Sequence, residues 1–144
     1  MQISSLLRRK GQEVATIDGG ESVRAALELL ARHRIGALVV SADGRHIDGI
    51  LSERDVARGL NDRGAGLLTE PVSAVMTADV RTCTPQASVH ELARMMTDHR
   101  IRHIPVVGVD GVLVGIVSIG DVVKARLDEL ESERAQLVDY IQTA

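Results

Sequence analysis

Residues His99–Asp121 read HRIRHIPVVGVDGVLVGIVSIGD, a basic strand start followed by two apolar runs around an Asp-Gly turn. A weaker version of this stretch, HRIGALVVSADGRHIDGILSERD, occupies His33–Asp55 at a constant offset of 66 residues. Positions that match across this offset are Ser22 and Ser88, His33 and His99, Gly49 and Gly115, Ser52 and Ser118, and Asp55 and Asp121. Such an internal duplication predicts two copies of one structural unit.

Both copies predict the same order of secondary structure. Short apolar runs bounded by turn residues predict strands at Val14–Ile17, Gly36–Val40, Gly49–Leu51, Val80–Thr84, Ile104–Val107 and Val112–Val117. The helical spacing of apolar residues predicts helices that begin at Ser22, Ser52, Ser88 and about Asp121, with Glu91 forming an S-x-x-E capping box with Ser88. Neither half, at about 60 residues, buries a large core alone. The sequence therefore predicts an α+β fold of two β-α-β-β-α repeats packed around a pseudo-twofold axis.

The chain divides at a polar, glycine-containing linker, Asn61–Glu70. The first repeat with its N-terminal lead-in is predicted to span residues 1–62, and the second repeat to span 71–127. Residues 128–144 are predicted to be a C-terminal helical extension. The apolar stripe of the last helix is formed by Val123, Leu127, Leu130, Leu137 and Ile141. We expect this stripe to pack on the body of the protein or on a second copy of the chain.

The composition argues against several classes of protein. Of the 144 residues, 44% are hydrophobic, with one Tyr, no Phe and no Trp, so bases are not expected to stack on aromatic side chains. A net charge of −3 argues against general nucleic-acid binding. The sequence contains no run of about 18 apolar residues, so no membrane span is predicted. At the N-terminus the charged residues follow the apolar ones, whereas in a secretory signal they precede them. The single cysteine, Cys83, is expected to be a buried small hydrophobe in a reducing, cytoplasmic compartment.

Four segments carry a resemblance to a known family. IRHIPVV at 101–107, GIVSIGD at 115–121, VSAVMT at 72–77 and GILSERDV at 49–56 together resemble a tandem pair of CBS domains, also called a Bateman module. The resemblance implies a stand-alone regulatory module, with no catalytic cofactor, that binds an adenine nucleotide in the clefts between repeats. AMP is the expected ligand, with ATP, ADP, NAD and S-adenosylmethionine as alternatives. The resemblance also implies a disc-shaped homodimer and an unidentified protein partner that responds to the ligand.

The Ser-x-x-Asp pattern at 52–55 and 118–121 suits nucleotide chemistry. An ionised carboxylate offers two acceptor oxygens to the two hydroxyls of a ribose. A helix N-terminus with a serine hydroxyl suits a phosphate. The alternative is a capping box, in which the Asp side chain accepts a hydrogen bond from the backbone at the start of its own helix. The recurrence of the pattern in both copies favours ligand binding.

The two expected sites differ in their basic residues. Arg102 and His103 precede the proline of the second copy, where the first copy has Gly36 and Ala37, which predicts a weaker phosphate contact in the first copy. In similar proteins basic residues at these places contact phosphate, and Arg54 matches another such position. The resemblance therefore implies that Asp55 and Asp121 each hold a ribose, while Arg54, Arg102 and His103 share the phosphate. The other implied nucleotide-binding residues are Ser52, Thr77, Ala78 and Val80 near Asp55, Gly11 and Val14 near Asp121, and Ile116 and Ser118.

Other clusters in the sequence predict less. A strand between His99 and His103 keeps them from forming a helical pair, and no Cys or carboxylate cluster completes a zinc site, so no metal is expected. The sequence contains no recognisable pairing of a nucleophile with a general base, so no enzyme activity is expected. The basic residues Arg8, Arg9 and Lys10 are expected to form a solvated turn, the alternative being a phosphate contact near a neighbouring pocket. The competing interpretation of the whole chain is a dimerisation or protein-interaction module with one or both nucleotide sites degenerate.

Overall fold

The computed structural model describes residues 1–143, over which it contains five α-helices and five β-strands. The helices are α1 (Ile3–Lys10), α2 (Val23–His33), α3 (Glu53–Arg63), α4 (Val89–His99) and α5 (Ile119–Thr143). The strands are β1 (Thr16–Ile17), β2 (Ala37–Val40), β3 (Gly49–Ser52), β4 (His103–Val107) and β5 (Leu113–Ser118). Short 3-10 helices occupy Gly64–Thr69, Val72–Ala74 and Val109–Gly111. The predicted α+β fold is confirmed, and residue 144 of the predicted extension lies outside the described residues.

Serine side chains begin the helices of both repeats. Ser22 and Ser88 each accept a hydrogen bond from the backbone N–H three residues further on, at 3.1 and 3.0 Å. The bond at Ser88 is one of the two expected of a capping box. The last helix begins at Ile119 rather than at about Asp121, because Ser118 provides its cap. These caps satisfy backbone N–H groups that have no partner within the helix.

The two repeats hold their strands in separate small sheets. In the first sheet β1 pairs in parallel with β2, which pairs antiparallel with β3. In the second sheet β4 and β5 pair antiparallel. The predicted strand Val80–Thr84 is wrong, because this segment contributes a single bridge between Cys83 and Val106. Pro85 lacks the N–H group that would continue the ladder beyond this bridge.

Each repeat completes its core with a segment that precedes the other repeat in the chain. The core of the first repeat includes Val72 from the region between the repeats. The core of the second repeat includes Ile3 and Leu7 of α1. Equivalent hydrogen bonds hold the two segments, since Ile3 N–H donates to Ala87 and Val72 N–H donates to Glu21, both at 2.8 Å. We call these two segments, residues 1–10 and 64–77, the exchanged lead-ins.

The exchanged lead-ins pack closely against a glycine in each sheet. A Cβ added to Gly49 would lie 2.5 Å from Sδ of Met76 and 2.9 Å from the carbonyl oxygen of Thr77. A Cβ added to Gly115, the matching residue, would lie 2.7 Å from a methyl carbon of Leu7. A residue without a Cβ is needed where another segment approaches a strand this closely. The repeated Gly-Ile pair therefore reflects the packing of the exchanged lead-ins.

The substitution Gly49→Ala is expected to lower the free energy of unfolding by about 1–3 kcal/mol, because the added methyl group must displace both a core side chain and a backbone carbonyl. Urea denaturation followed by circular dichroism measures this change. The matched control is Gly66→Ala, where no described atom lies within 4 Å of the added Cβ. Its effect should stay within about 0.5 kcal/mol. Equal unfolding free energies for the two variants would contradict the close packing at Gly49.

Candidate functional site

A cavity of about 470 Å³ lies between the two repeats. One wall is formed by the junction of β3 and α3, which contains Asp55, together with Thr77 and Val80 from the region between the repeats. The opposite wall comes from the second repeat and includes Arg102 and His103. Small-molecule sites commonly have volumes of about 300–1,000 Å³. The cavity is therefore large enough to hold a small organic ligand.

Asp55 is oriented by a reciprocal capping box at the start of α3. Its backbone N–H donates to the Ser52 hydroxyl at 3.2 Å, and its Oδ2 accepts from the Ser52 N–H at 2.9 Å. The other carboxylate oxygen, Oδ1, accepts a long hydrogen bond of 3.4 Å from the Thr77 hydroxyl. Oδ2 thus caps the start of α3, and Oδ1 contacts Thr77 of the exchanged lead-in. The cap and a ligand can therefore share this carboxylate, because each oxygen can accept more than one hydrogen bond.

The cavity carries an excess of positive charge. Five of its lining residues are arginines, namely Arg54, Arg58, Arg81, Arg100 and Arg102, and three are acidic, namely Glu53, Asp55 and Asp79. The N-terminus of α3 also opens here and adds the partial positive charge of a helix start. Guanidinium groups bind phosphate oxygens with paired hydrogen bonds. The arrangement favours an anionic ligand with several acceptor oxygens, such as a phosphate ester.

His103 lies on β4 and is half-buried against Gly36, the residue that precedes β2. A Cβ added to Gly36 would lie 3.1 Å from Cε1 of the imidazole. Burial lowers the pKa of His103 below its ordinary value, with Glu53 opposing this shift and Lys10 adding to it. Gly36, which predicted a weak phosphate contact in the first copy, therefore leaves space for the His103 imidazole of the second copy.

The structure gathers seven of the predicted site residues on the cavity wall, namely Ser52, Arg54, Asp55, Thr77, Val80, Arg102 and His103. Ala78 is not among the lining residues. Five other predicted residues, Gly11, Val14, Ile116, Ser118 and Asp121, are not among the residues that line this cavity. The two basic residues of the second repeat therefore line the same cavity as the aspartate of the first.

Sequence reasoning missed three of the lining arginines, Arg58, Arg81 and Arg100. Arg58 lies one helical turn after Arg54 on α3, a spacing that places both on one face. Arg100 ends α4 in a left-handed conformation, with φ 53°. The spacing of Arg54 and Arg58 was visible in the sequence. The positions of Arg81 and Arg100 depend on how the repeats pack.

Asp121 repeats the capping box of Asp55 but has a different neighbour. Its Oδ2 accepts from the Ser118 N–H at 2.8 Å and from the Lys10 ammonium at 2.5 Å. Lys10 also donates to the carbonyl oxygen of Ile116 at 2.7 Å. Burial opposes ionisation of Asp121, but the bonds from Lys10 and Ser118 outweigh it, so its pKa lies below the ordinary value. Residues 8–10 are exposed, as expected, but the expected turn is wrong, because α1 continues to Lys10, whose ammonium contacts Asp121.

Cys83 is buried, and burial, together with the charge of Glu91, raises the pKa of its thiol to about 11. Within residues 1–143, no group of three or more His, Cys, Asp or Glu side chains is placed to hold a metal ion. In the same range, no helix is both long and apolar enough to cross a membrane.

Comparison with known proteins identifies the repeated unit. A family model described as the CBS domain matches residues 3–62 and 72–128. The chain belongs to the CBS-domain family. The resemblance found in the sequence is thereby confirmed.

Several CBS proteins are similar to this chain along most of its length. The mitochondrial CBS domain-containing protein CBSX3 of Arabidopsis thaliana is 37% identical over 150 residues, which cover 97% of this chain and 71% of the relative. The crystal structure of the CBS-domain containing protein ATU1752 from Agrobacterium tumefaciens has a TM-score of 0.83 and 42% identity, covering 88% of this chain and 99% of that chain. The CBS domain protein PAE2072 from Pyrobaculum aerophilum, complexed with AMP, has a TM-score of 0.75 and 29% identity, covering 84% and 89%.

The pKa of His103 is expected to lie below 6.5 in the folded protein, as a pH titration of its Cε1–H signal by NMR would measure. The unfolded chain then takes up this proton first as the pH falls through 6.5, so His103 reduces stability in that range. Lys10→Ala should raise the pKa of His103, and Glu53→Gln should lower it further, because the two charges act in opposite directions. A pKa at or above 6.5 in the unsubstituted protein would contradict the burial of this side chain.

Proposed function

We propose that this CBS-domain pair is a regulatory module that binds an adenine nucleotide, with AMP the expected ligand, in the cavity at Asp55. The observation that carries the proposal is the meeting of an oriented carboxylate, a helix N-terminus and five arginines in one cavity of about 470 Å³. The AMP complex of the Pyrobaculum aerophilum relative supports a ligand of this class. CBS-domain pairs are generally regulatory rather than catalytic modules.

In this proposal the nucleotide lies across the start of α3. Asp55 accepts hydrogen bonds from the ribose hydroxyls, and the Ser52 cap fixes its orientation in advance. Arg54 and Arg102 bind the phosphate next to the helix N-terminus. The adenine packs against Val80 and the other apolar lining residues and is recognised through backbone groups. Residues Gly11, Val14, Ile116, Ser118 and Asp121 remain a predicted second site.

Occupancy of the cavity then changes how the repeats are held together, and a protein partner responds to that change. Such signalling requires the nucleotide to bind two arrangements of the protein with different affinities. ATP, ADP and NAD remain alternative ligands, and calorimetric titration with each ranks them against AMP. The cytoplasmic location remains a prediction from the single cysteine. The division into repeats at 1–62 and 71–127, with a C-terminal helical extension at 128–144, remains a prediction.

The alternative function is a protein-interaction module with an empty cavity, favoured by the exposed apolar side chains of α5. An enzyme of nucleotide turnover is a third class. Incubating purified protein with AMP or ATP for hours and analysing the nucleotides by chromatography separates this class from the other two. Intact nucleotide that binds in calorimetry supports the regulatory module.

Replacing Asp55 with Ala is expected to weaken AMP binding by about tenfold or more, because hydrogen bonds to a charged acceptor contribute about 1.5–3 kcal/mol. Isothermal titration calorimetry with AMP measures the change. Asp55 also caps α3, so a control must remove a cap elsewhere.

Ser88→Ala provides that control, since it removes the cap of α4 and Ser88 is not among the residues lining the cavity. Its AMP affinity should match that of the unsubstituted protein. An Asp55→Ala variant that binds AMP as tightly as the Ser88→Ala variant would overturn the assignment of the ribose site.

We also propose that the module is a homodimer in which α5 contacts α5 of a second copy. The stripe residues Val123, Leu127, Leu130, Leu137 and Ile141 are 51%, 55%, 50%, 63% and 72% exposed. Their spacing follows a coiled-coil seam in which one position, between Leu130 and Leu137, is Arg134 instead of an apolar residue. Arg126 and Glu131 flank the stripe at the five-residue spacing that pairs opposite charges between parallel helices. The second copy therefore offers both apolar and charge complementarity to this face.

The double substitution Leu130→Asp/Leu137→Asp is expected to convert the dimer to a monomer, because charges would enter the apolar seam. Light scattering coupled to size-exclusion chromatography, over a range of concentrations, gives the mass. Ser132→Asp adds a charge to the exposed face away from the stripe and should leave the dimer intact. An unsubstituted protein with the mass of one chain at all concentrations would exclude this interface.

A further inference from the structure

The two Ser-x-x-Asp boxes are built alike but differ in what the exchanged lead-in brings to them. At the first box, Thr77 forms an antiparallel bridge with Ile50, with both backbone hydrogen bonds at 2.9 Å. The Thr77 hydroxyl reaches Asp55 only at 3.4 Å. The 3-10 helix of this lead-in ends at Ala74, and the segment meets β3 at this single bridge. The first carboxylate therefore remains open to the cavity.

At the second box, the lead-in stays helical and delivers a charged side chain instead. Helix α1 continues to Lys10, whose ammonium bridges Asp121 Oδ2 and the carbonyl oxygen of Ile116. Ile116 matches Ile50 across the repeat. The Lys10 ammonium therefore donates to the carbonyl oxygen whose counterpart in the first copy accepts from the Thr77 N–H. The side chains of Lys10 and Asp121 are only 30% and 23% exposed. The ammonium thus pairs with the same oxygen of the second carboxylate that accepts from the Ser118 N–H.

We propose that Lys10 is an internal occupant of the second nucleotide site, so that the folded chain binds one nucleotide at Asp55 and keeps Asp121 latent. This inference rests on the proposed function for the chemical class of the ligand, a ribose diol carrying an anionic phosphate. A ribose that approaches Asp121 must displace an ion pair. Lys10 is tethered at the end of α1 and competes at a high effective concentration.

The opposite role for Lys10 is that of a phosphate ligand that leaves Asp121 when a nucleotide binds. The two roles predict opposite effects of removing the ammonium. A competitor of the ribose, once removed, opens a second site. A phosphate ligand, once removed, weakens an existing site. Counting bound nucleotides therefore separates the two roles.

The experiment is calorimetric titration of the full chain and of Lys10→Ala with AMP, with native mass spectrometry to count bound nucleotides. Lys10→Ala should bind one more AMP per chain than the unsubstituted protein, two instead of one. Arg9→Ala removes the same charge from the neighbouring residue and should add none. Lys10→Ala/Asp121→Ala should lose the added AMP. A thermal melt verifies that each variant is folded, as expected because alanine is a strong helix former at the end of α1.

Failure of this inference is distinguishable from failure of the proposed function. A gain of one AMP that depends on Asp121 supports the latent site, whether the unsubstituted protein binds one AMP or none. An unsubstituted protein that binds none, with a Lys10→Ala variant that binds one, would overturn the Asp55 proposal alone. An unchanged or smaller number in folded Lys10→Ala would overturn the internal occupant, as would two AMP per chain in the unsubstituted protein.

Discussion

Each hydrophobic core of this protein is closed by a chain segment that belongs, in sequence, to the other repeat. Leu7 packs onto Gly115 and Met76 packs onto Gly49, at distances that only a missing Cβ allows. The matching backbone hydrogen bonds of Ile3 and Val72 hold both segments in equivalent places. The cavity at Asp55 depends on this exchange, because Thr77 and Val80 line it only after the second lead-in has crossed the first repeat.

The capping box and the candidate ribose site use one carboxylate for two purposes. The Ser52 N–H fixes Asp55 through Oδ2 before any ligand binds, so little side-chain entropy remains to be lost on binding. Helix stability and ligand recognition are therefore coupled at the same residue. The two boxes also show that a motif alone does not define a site. Thr77 and Lys10, which lie outside the motif, give the two aspartates different surroundings.

Local features of the sequence predicted much of this architecture. The serine caps and the helical spacing of apolar residues depend on residues that are close in sequence, and the structure contains the helices that they predict. The candidate residues around Asp55 could also be predicted from the sequence, because they occur within short motifs. The strand expected at Val80–Thr84 was wrong. It was predicted because the segment matches Val14–Ile17 in sequence, but the packing of the repeats leaves it only one bridge to a neighbouring strand. The position of Lys10 could not be predicted, since it depends on a contact between residues more than a hundred positions apart.

The exchanged lead-ins also bear on how such a chain could have originated. A single ancestral repeat with one lead-in could complete its core only by donating that segment to a neighbouring molecule and accepting the neighbour's in return. Assembly of that ancestor would depend on concentration, as in a domain-swapped dimer. Duplication and fusion of the gene would place both segments on one polypeptide and remove the dependence on concentration. Once fused, the two lead-ins would be free to diverge, one into short 3-10 helices that lead to Thr77 beside Asp55 and the other into an α-helix that ends in a lysine.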